Sequence, residues 1–238
     1  MGASPLLRAR IAGVCYFISI VLGIYAEAVV RGHLIVSGDA AATARNIMAS
    51  ESLYRLGFAA DLIGIAAYIV VTLLLYDLLK PVNARLSLLA AFFGLCGNAI
   101  VAASTLGHIA PMLLLGGGRY LATFSPAQLQ AMAYLSLRLH GQGYLIALVF
   151  FGFYCAIVGY LIFRSTFFPR TLGVLMTLAG VCWLITTFGN FIAPAFADAV
   201  STFTSLGTLA GEGSLMLWLL VMGVNAKKWN EAASAATG

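Results

Sequence analysis

The sequence predicts an all-α, polytopic membrane protein with six transmembrane helices in one bundle. Three observations support this prediction: 62% of the residues are hydrophobic, only 9% are charged, and the mean hydropathy is +0.99. A soluble globular chain carries about 25% charged residues, so water is not the solvent for most of this surface. The apolar runs are long and continuous, which favours helices, because the strands of a membrane barrel alternate apolar and polar residues over about 10 positions.

Six apolar stretches define the spans, and the 238 residues leave only short connections between them. A helix needs about 20 apolar residues to cross a bilayer, so we expect a single transmembrane domain over residues 1–238. The third stretch is longer than a bilayer requires, and we expect it to tilt or to break near Pro111. The predicted spans are 11–30, 56–79, 86–115, 141–163, 172–192 and 202–224.

Two connections have sequences typical of short helices at the outer membrane surface. Ser125-Pro126-Ala127-Gln128 combines an N-cap serine, a proline at the first helical position and a glutamine that completes a capping box. The residues that follow are amphipathic, and we expect an interfacial helix that continues into the fourth span. Ser37-Gly38-Asp39 offers a cap for a weaker helix of the same kind. The two connectors fit either a duplicated hairpin or two unrelated segments of similar length.

The basic residues predict the orientation of the chain. Eight of the 13 Lys and Arg residues, including all three lysines, fall on the side that carries both termini. Cationic loops remain in the cytoplasm, so both termini are predicted to be cytoplasmic. The net charge of +5 is explained by this pattern and by attraction to anionic lipids. The lipid bilayer is therefore the expected partner, no nucleic acid is expected, and other membrane subunits or a homo-oligomer are further candidates.

Polar residues inside the spans carry the functional information, because an ionisable group in hydrocarbon costs several kcal/mol unless it faces the bundle interior or water. Residues three, four or seven positions apart share a helix face, and most spans have one polar face. Such faces must point at one another, which predicts a polar pocket open toward the outer side. The candidate ligand-binding residues are Glu27, Asp61, Asn98, His108, His140, Tyr144, Asn190 and Glu212.

Four of these residues are also candidate metal ligands, since imidazole and carboxylate groups suit zinc, iron or manganese: His108, His140, Glu212 and Asp61. They come from separate helices without a local metal-binding motif, so a proton relay or a site for a cationic solute stays open. Glu27 can instead pair with Arg31, and Asp77 with Lys80. No cofactor and no catalytic residue is identified from the sequence.

Three functions are compatible with these residues. The leading hypothesis is the binding or translocation of a small solute, ion or proton, with Glu212, His108 and Asp61 lining the path. Asn98, Asn190 and Tyr144 would be polar supports of that path. The alternatives are a membrane-embedded, metal-dependent enzyme that acts on a hydrophobic substrate, and an accessory subunit of a larger membrane complex.

Several segments together resemble one bacterial integral-membrane family, the domain-of-unknown-function family 4386. They include Ala9-Arg10-Ile11-Ala12-Gly13-Val14-Cys15-Tyr16, Leu78-Leu79-Lys80-Pro81-Val82-Asn83, Leu139-His140-Gly141 and Pro169-Arg170-Thr171-Leu172-Gly173. The similarity extends from about Arg8 to the end of the sixth span. It implies a multi-pass protein of the bacterial inner (cytoplasmic) membrane, and no activity, cofactor or catalytic residue comes with it.

Overall fold

The computed structural model describes residues 4–236, and these residues form helices, turns and no strand. Six of the helices are long and apolar enough to cross a membrane. The predicted all-α, six-span fold is therefore confirmed. In chain order the helices are α1 (Pro5–Leu34), α2 (Ala40–Ala49), α3 (Glu51–Leu79), α4 (Ala84–Leu115), α5 (Pro126–Arg164), α6 (Arg170–Ile192), α7 (Pro194–Val221) and α8 (Ala226–Ala235).

Large apolar side chains cover the outside of the spanning helices. Leu106 is 71% exposed, and Ile192 and Phe203 are each 77% exposed. Exposed apolar surface on this scale is unfavourable in water and is the normal surface of a protein in hydrocarbon. The chain is thus a multi-pass membrane protein whose helices contact the lipid bilayer.

The helix starts follow the capping signals in the sequence. The Ser125 amide donates to Gln128 Oε1 (2.8 Å), and the Gln128 amide donates to Ser125 Oγ (3.3 Å). This confirms the predicted capping box and explains why α5 begins at Pro126 and runs without interruption for 39 residues. The Asp39 carboxylate accepts from the Ala42 amide (2.8 Å) and caps α2, as its sequence predicts.

This stretch was expected to tilt or to break near Pro111, and the break does not occur, since α4 continues through this proline. Proline has no amide hydrogen, so the carbonyl of Gly107 loses its usual donor one turn away. The hydroxyl of Tyr54 donates to the neighbouring carbonyl of His108 and adds a bond from α3 at this point. The weakened turn of α4 is therefore held from outside by another helix.

The described residues form two compact units, and α1, α3, α4 and α5 each contribute to both. The first unit contains residues 4–18, 67–98 and 145–236. Glycines allow its helices to pack closely: a Cβ at Gly13 of α1 would collide with the Leu220 backbone of α7, and one at Gly211 of α7 would collide with the Leu175 carbonyl of α6.

The second unit contains residues 19–66 and 99–144. Its apolar core joins α1, α2, α3, α4 and α5 through Val30, Leu34, Ile47, Tyr54, Met112 and Leu137. The amphipathic helix α2 takes part through Ile47, which is fully buried. Its cap and its apolar face together fix α2 against the ends of the longer helices.

Candidate metal centre

The last turns of α1 have an unusual backbone that positions two charged residues. Tyr25–Arg31 is wound as a π-helix within the otherwise α-helical α1. A π-turn holds more residues than an α-turn, so it changes which side chains face the interior, and such turns are frequent at functional sites. Arg31 is only 9% exposed, and its Nε donates to Glu27 Oε2 (2.7 Å). This contact confirms that Glu27 pairs with Arg31, which was the predicted alternative to a role of Glu27 in ligand binding.

The guanidinium of Arg31 also binds Asp61 of α3 through two hydrogen bonds. Arg31 Nη1 donates to Asp61 Oδ2 (2.6 Å), and Nη2 donates to Oδ1 (3.3 Å). The planar guanidinium matches the carboxylate in this forked geometry. One cation then faces two carboxylates, so Arg31, Asp61 and Glu27 together carry a net charge of −1 when all three are ionised (+1 − 2).

His108 of α4 joins this group through one ring nitrogen. Its Nδ1 lies 3.1 Å from Asp61 Oδ2 and 3.0 Å from Arg31 Nη1. Nδ1 can donate to the Asp61 carboxylate or accept from the guanidinium of Arg31, and the tautomer decides between these two contacts. His108 is 0% exposed, and its Nε2 has no hydrogen-bond partner among the described residues. In the tautomer whose Nδ1 donates to Asp61, Nε2 carries a buried lone pair in need of a partner.

His140 of α5 contacts a backbone carbonyl through one ring nitrogen. Its Nδ1 lies 2.9 Å from the Ser104 carbonyl, which can only accept, so Nδ1 carries the hydrogen and Nε2 carries the lone pair. The two imidazole centroids are 5.6 Å apart. Close packing of α4 and α5 permits this distance, since a Cβ at Gly107 would collide with the Ser136 carbonyl and one at Gly143 with the Ser104 side chain.

Asp61, His108 and His140 each offer a ligand atom, and these three atoms lie within 4.8 Å of one another. Aromatic rings surround the group: the Tyr54 ring is 4.6 Å from the His108 ring, and the Phe58 ring is 5.8 Å from it. Hydrogen bonds from Nδ1 to a carboxylate and to a carbonyl are the usual outer contacts of metal-binding histidines. We refer to Arg31, Asp61, His108 and His140 as the imidazole cluster.

Comparison with known proteins identifies the family. The family model described as "Domain of unknown function (DUF4386)" matches residues 11–223, which is most of the chain. The chain belongs to the DUF4386 family. The resemblance seen in the sequence is thereby confirmed. No curated protein and no solved structure matches this DUF4386 chain. The family description names no activity, so the function has to be argued from the geometry of the site.

The remaining candidate acid of this DUF4386 member, Glu212 of α7, belongs to the first unit. The Tyr16 hydroxyl of α1 donates to its Oε2 (2.7 Å), and Trp183 Nε1 of α6 donates to its Oε1 (2.5 Å). The predicted acids and imidazoles thus form two groups. Glu27, Asp61, His108 and His140 come together in the second unit, and Glu212 has its own partners in the first.

Two of the three predicted polar supports, Asn98 and Asn190, bind the backbone of their own helices. Asn98 is 2% exposed and donates through Nδ2 to the Gly94 carbonyl of its own helix (2.8 Å). Asn190 is exposed and donates in the same way to the Thr186 carbonyl (2.8 Å). Tyr144 is 43% exposed. Their role as supports of a solute path remains a prediction.

From the sequence, Arg31 is one of the cations that predict the orientation of the chain and a possible partner of Glu27. Its central position in the site is not predicted. A signal was present: the apolar residues Leu34, Ile35 and Val36 follow it, so the first helix was free to continue past the charge. The role of the Ser104 carbonyl could not be predicted from the sequence, because every residue type supplies the same backbone oxygen. Tyr16 and Trp183 are aromatic residues within apolar stretches, so the sequence does not distinguish them from lipid-facing residues. The structure shows that both donate to Glu212.

Proposed function

We propose that this protein binds one divalent transition-metal ion within its spanning helices, at the imidazole cluster. The ligands would be Nε2 of His108 and Nε2 of His140, and Asp61 would orient the first imidazole. The observation that carries the proposal is the buried Nε2 of His108, which has no partner among residues 4–236. Imidazole nitrogens suit zinc, copper, iron and nickel, and a carboxylate extends the set toward manganese.

The distances support a site that closes around an ion. Zinc binds imidazole nitrogen at about 2.0–2.1 Å, so two ligands of a tetrahedral ion are about 3.4 Å apart. One donor atom each from Asp61, His108 and His140 lies within 4.8 Å of the other two, and the two imidazole centroids are 5.6 Å apart, so rotation of the rings could turn both toward one ion. The charge of Arg31 does not oppose the ion by itself, because Asp61 and Glu27 both neutralise it.

Competition for Asp61 favours translocation over permanent retention of the metal. Asp61 is held by the guanidinium of Arg31, and a carboxylate shared with a fixed cation contributes less to a bound ion. Two imidazole ligands, with Asp61 engaged by Arg31, therefore make a site of moderate affinity. Such a site releases its ion, as transport requires, whereas a metalloenzyme retains its ion with three protein ligands.

The enzyme alternative rests on one feature of the same ligand set. Two or three protein ligands leave at least one position for water, and a bound water is the nucleophile of hydrolytic zinc enzymes. Uptake of Zn²⁺ or Mn²⁺ by proteoliposomes that contain a metal-sensitive dye separates the two uses. Uptake that His140→Gln abolishes supports translocation, and tight stoichiometric metal without uptake supports the enzyme.

Direct binding tests the proposal itself. Protein purified in mild detergent would be stripped with a chelator and titrated with Zn²⁺, Mn²⁺ and Fe²⁺ by calorimetry. We expect one site, and we expect His108→Gln and His140→Gln each to weaken binding by at least tenfold. His33→Gln is the matched control, since His33 is the third histidine and is exposed. Equal affinity of all four proteins would refute the metal site.

We also propose that both termini lie in the cytoplasm and that the membrane is the bacterial inner membrane. The support is the distribution of the cations, eight against five in favour of the terminal side. The imidazole cluster would then lie toward the outer side, and a solute would enter from there. Reporter fusions to the connection between α3 and α4 and to that between α4 and α5 decide the orientation, and exchange of the two signals would reverse it.

A further inference from the structure

Glu212 is a membrane-embedded acid whose neighbours are neutral. Its two oxygens accept from the Tyr16 hydroxyl and from Trp183 Nε1. Within residues 4–236, every ion pair involves other acids, so Glu212 has no cationic side chain to balance an ionised carboxylate. An unbalanced charge in hydrocarbon costs several kcal/mol. The carboxyl group therefore has to be neutralised by something that is not part of the chain.

The hydrogen bonds identify a proton as that ligand. An indole N–H can only donate, so Oε1 remains an acceptor in every state of the group. A tyrosine hydroxyl both donates and accepts, so Oε2 can accept from Tyr16 when it is ionised and can donate to Tyr16 when it is protonated. The 2.7 Å contact serves both states without movement of heavy atoms. A larger cation would need oxygen ligands besides this carboxylate, and the two side chains that bind Glu212 present hydrogen-bond donors to it.

A second, independent feature of the first unit is an unsatisfied hydroxyl. Tyr154 of α5 is 1% exposed, and its Oη has no hydrogen-bond partner among the described residues. The hydroxyl of Thr72, which lies near that of Tyr154, donates its own hydrogen to the Tyr68 carbonyl (2.9 Å). A buried hydroxyl without a partner costs about 1–3 kcal/mol, so a water molecule bound at this hydroxyl would be stabilising.

The Tyr154 ring packs on Tyr68, and Tyr68 packs on Tyr16, whose hydroxyl donates to Glu212. The Tyr16 and Tyr68 centroids are 5.4 Å apart, and the Tyr68 and Tyr154 centroids are 6.0 Å apart. The titratable groups near Glu212 are Tyr16 of α1, Tyr68 of α3, and Tyr154 and Cys155 of α5, all of them uncharged in their protonated forms.

We propose that Glu212 is a proton-binding site in the first unit, served by Tyr16 and by water at Tyr154. In the forward step hydronium gives its proton to Oε2, a new O–H bond forms on Glu212, and one water is left. In the reverse step water accepts that proton and the carboxylate is restored. This site is independent of the imidazole cluster, and it would exist even if the protein binds no metal.

Dicyclohexylcarbodiimide tests the proposal, because this apolar reagent enters membranes and reacts with carboxyl groups that carry a proton. The intact protein in native membranes would be labelled between pH 5 and 9, and the adducts would be mapped by mass spectrometry of the peptides. We expect labelling of Glu212 that decreases with rising pH along a one-proton curve. Asp198, an exposed acid on the same helix, is the internal control and should remain unlabelled at neutral pH.

Variants separate a proton site from a passive buried acid. Tyr16→Phe removes a hydrogen bond to the ionised form, so the midpoint of labelling should move to higher pH by about one unit. Glu212→Gln should lose the adduct, and it should also lose a pH-dependent carboxylic acid band in the infrared spectrum. Absence of both the adduct and the band in the wild type would overturn the proposal. Suppression of labelling by Na⁺ at constant pH would overturn it too, in favour of a metal-cation site.

Discussion

Replacement of Asp61 by Asn is the most informative change, because it removes one charge from a buried pair and keeps the side-chain volume. The side chains of Arg31 and Asp61 are 10% and 11% exposed. Removing one partner of such a pair typically costs about 3–5 kcal/mol, since the other charge is left buried without balance. Glu27 still pairs with Arg31 in the variant, so we take the lower end, about 3 kcal/mol.

This free energy converts into a measurable shift of the melting temperature. For chains of this length each kcal/mol lowers Tm by roughly 2–4 °C, so Asp61→Asn should lower it by about 6–12 °C. Melting in detergent can be followed by tryptophan fluorescence and by the reactivity of Cys155 and Cys182, which are buried in the folded protein. Both probes lie in the first unit and Asp61 lies in the second, so a shift that both probes report extends beyond the unit that carries the substitution.

A matched control and a double variant make the reasoning refutable. Glu51→Gln breaks the Arg55–Glu51 pair on the same helix, but those side chains are 59% and 44% exposed, so about 0.5 kcal/mol or less is expected. Asp61→Asn combined with Arg31→Gln should be less destabilised than the sum of the single variants, because neither charge then remains buried alone. Equal shifts for Asp61→Asn and Glu51→Gln, or strict additivity of the double variant, would refute the buried-pair interpretation.

Three further predictions concern packing and caps. Gly13→Ala should lower Tm by several degrees, because the added Cβ meets the Leu220 backbone, whereas Gly23→Ala in the same helix has open space and should be neutral or slightly stabilising when Tm is compared in one detergent. Gly107→Ala should push α5 from α4 and weaken Zn²⁺ binding in calorimetry, and unchanged affinity would mean that the two imidazoles do not share an ion. Ser125→Ala should cost about 1 kcal/mol of stability through the lost cap, which chemical denaturation would detect, and no change would show that the start of α5 is held by other contacts.

The spans and caps were predictable from the sequence because they depend on local chemistry. Hydropathy over about 20 residues reports solvent preference directly, and the capping box of Ser125 and Gln128 involves only residues three positions apart. The same local rule was wrong for Asp77, which was expected to pair with Lys80. Arg8 of α1 lies 3.9 Å from its carboxylate instead, and Lys80 lies over the Tyr76 ring. A charged residue nearby in sequence competes for an ion pair with every charged residue that folding brings close to the same side chain.

The site was only partly predictable, and the reason is geometric. Residue types and depth selected Asp61, His108 and His140, since ionisable groups are rare in hydrocarbon unless they meet one another. The inclusion of Arg31 depends on a π-helical turn, and the sequence pattern of an α-helix contains no sign of it. The tautomer of His140 depends on the Ser104 carbonyl, which no side-chain pattern reports. Residue type and depth therefore predict which side chains come together, whereas the backbone determines their contacts and tautomers.

The two units balance a membrane-embedded carboxylate in opposite ways, and the difference predicts what each acid can do. Asp61 is neutralised by a fixed guanidinium, so its charge is permanent and its task is to hold Arg31 and His108 in place. Glu212 has only neutral donors, so its charge depends on a ligand that comes and goes. Substitution of Asp61 should therefore appear first as lost stability, whereas substitution of Glu212 by Gln, which preserves the neutral form, should leave the fold intact and remove only the response to pH.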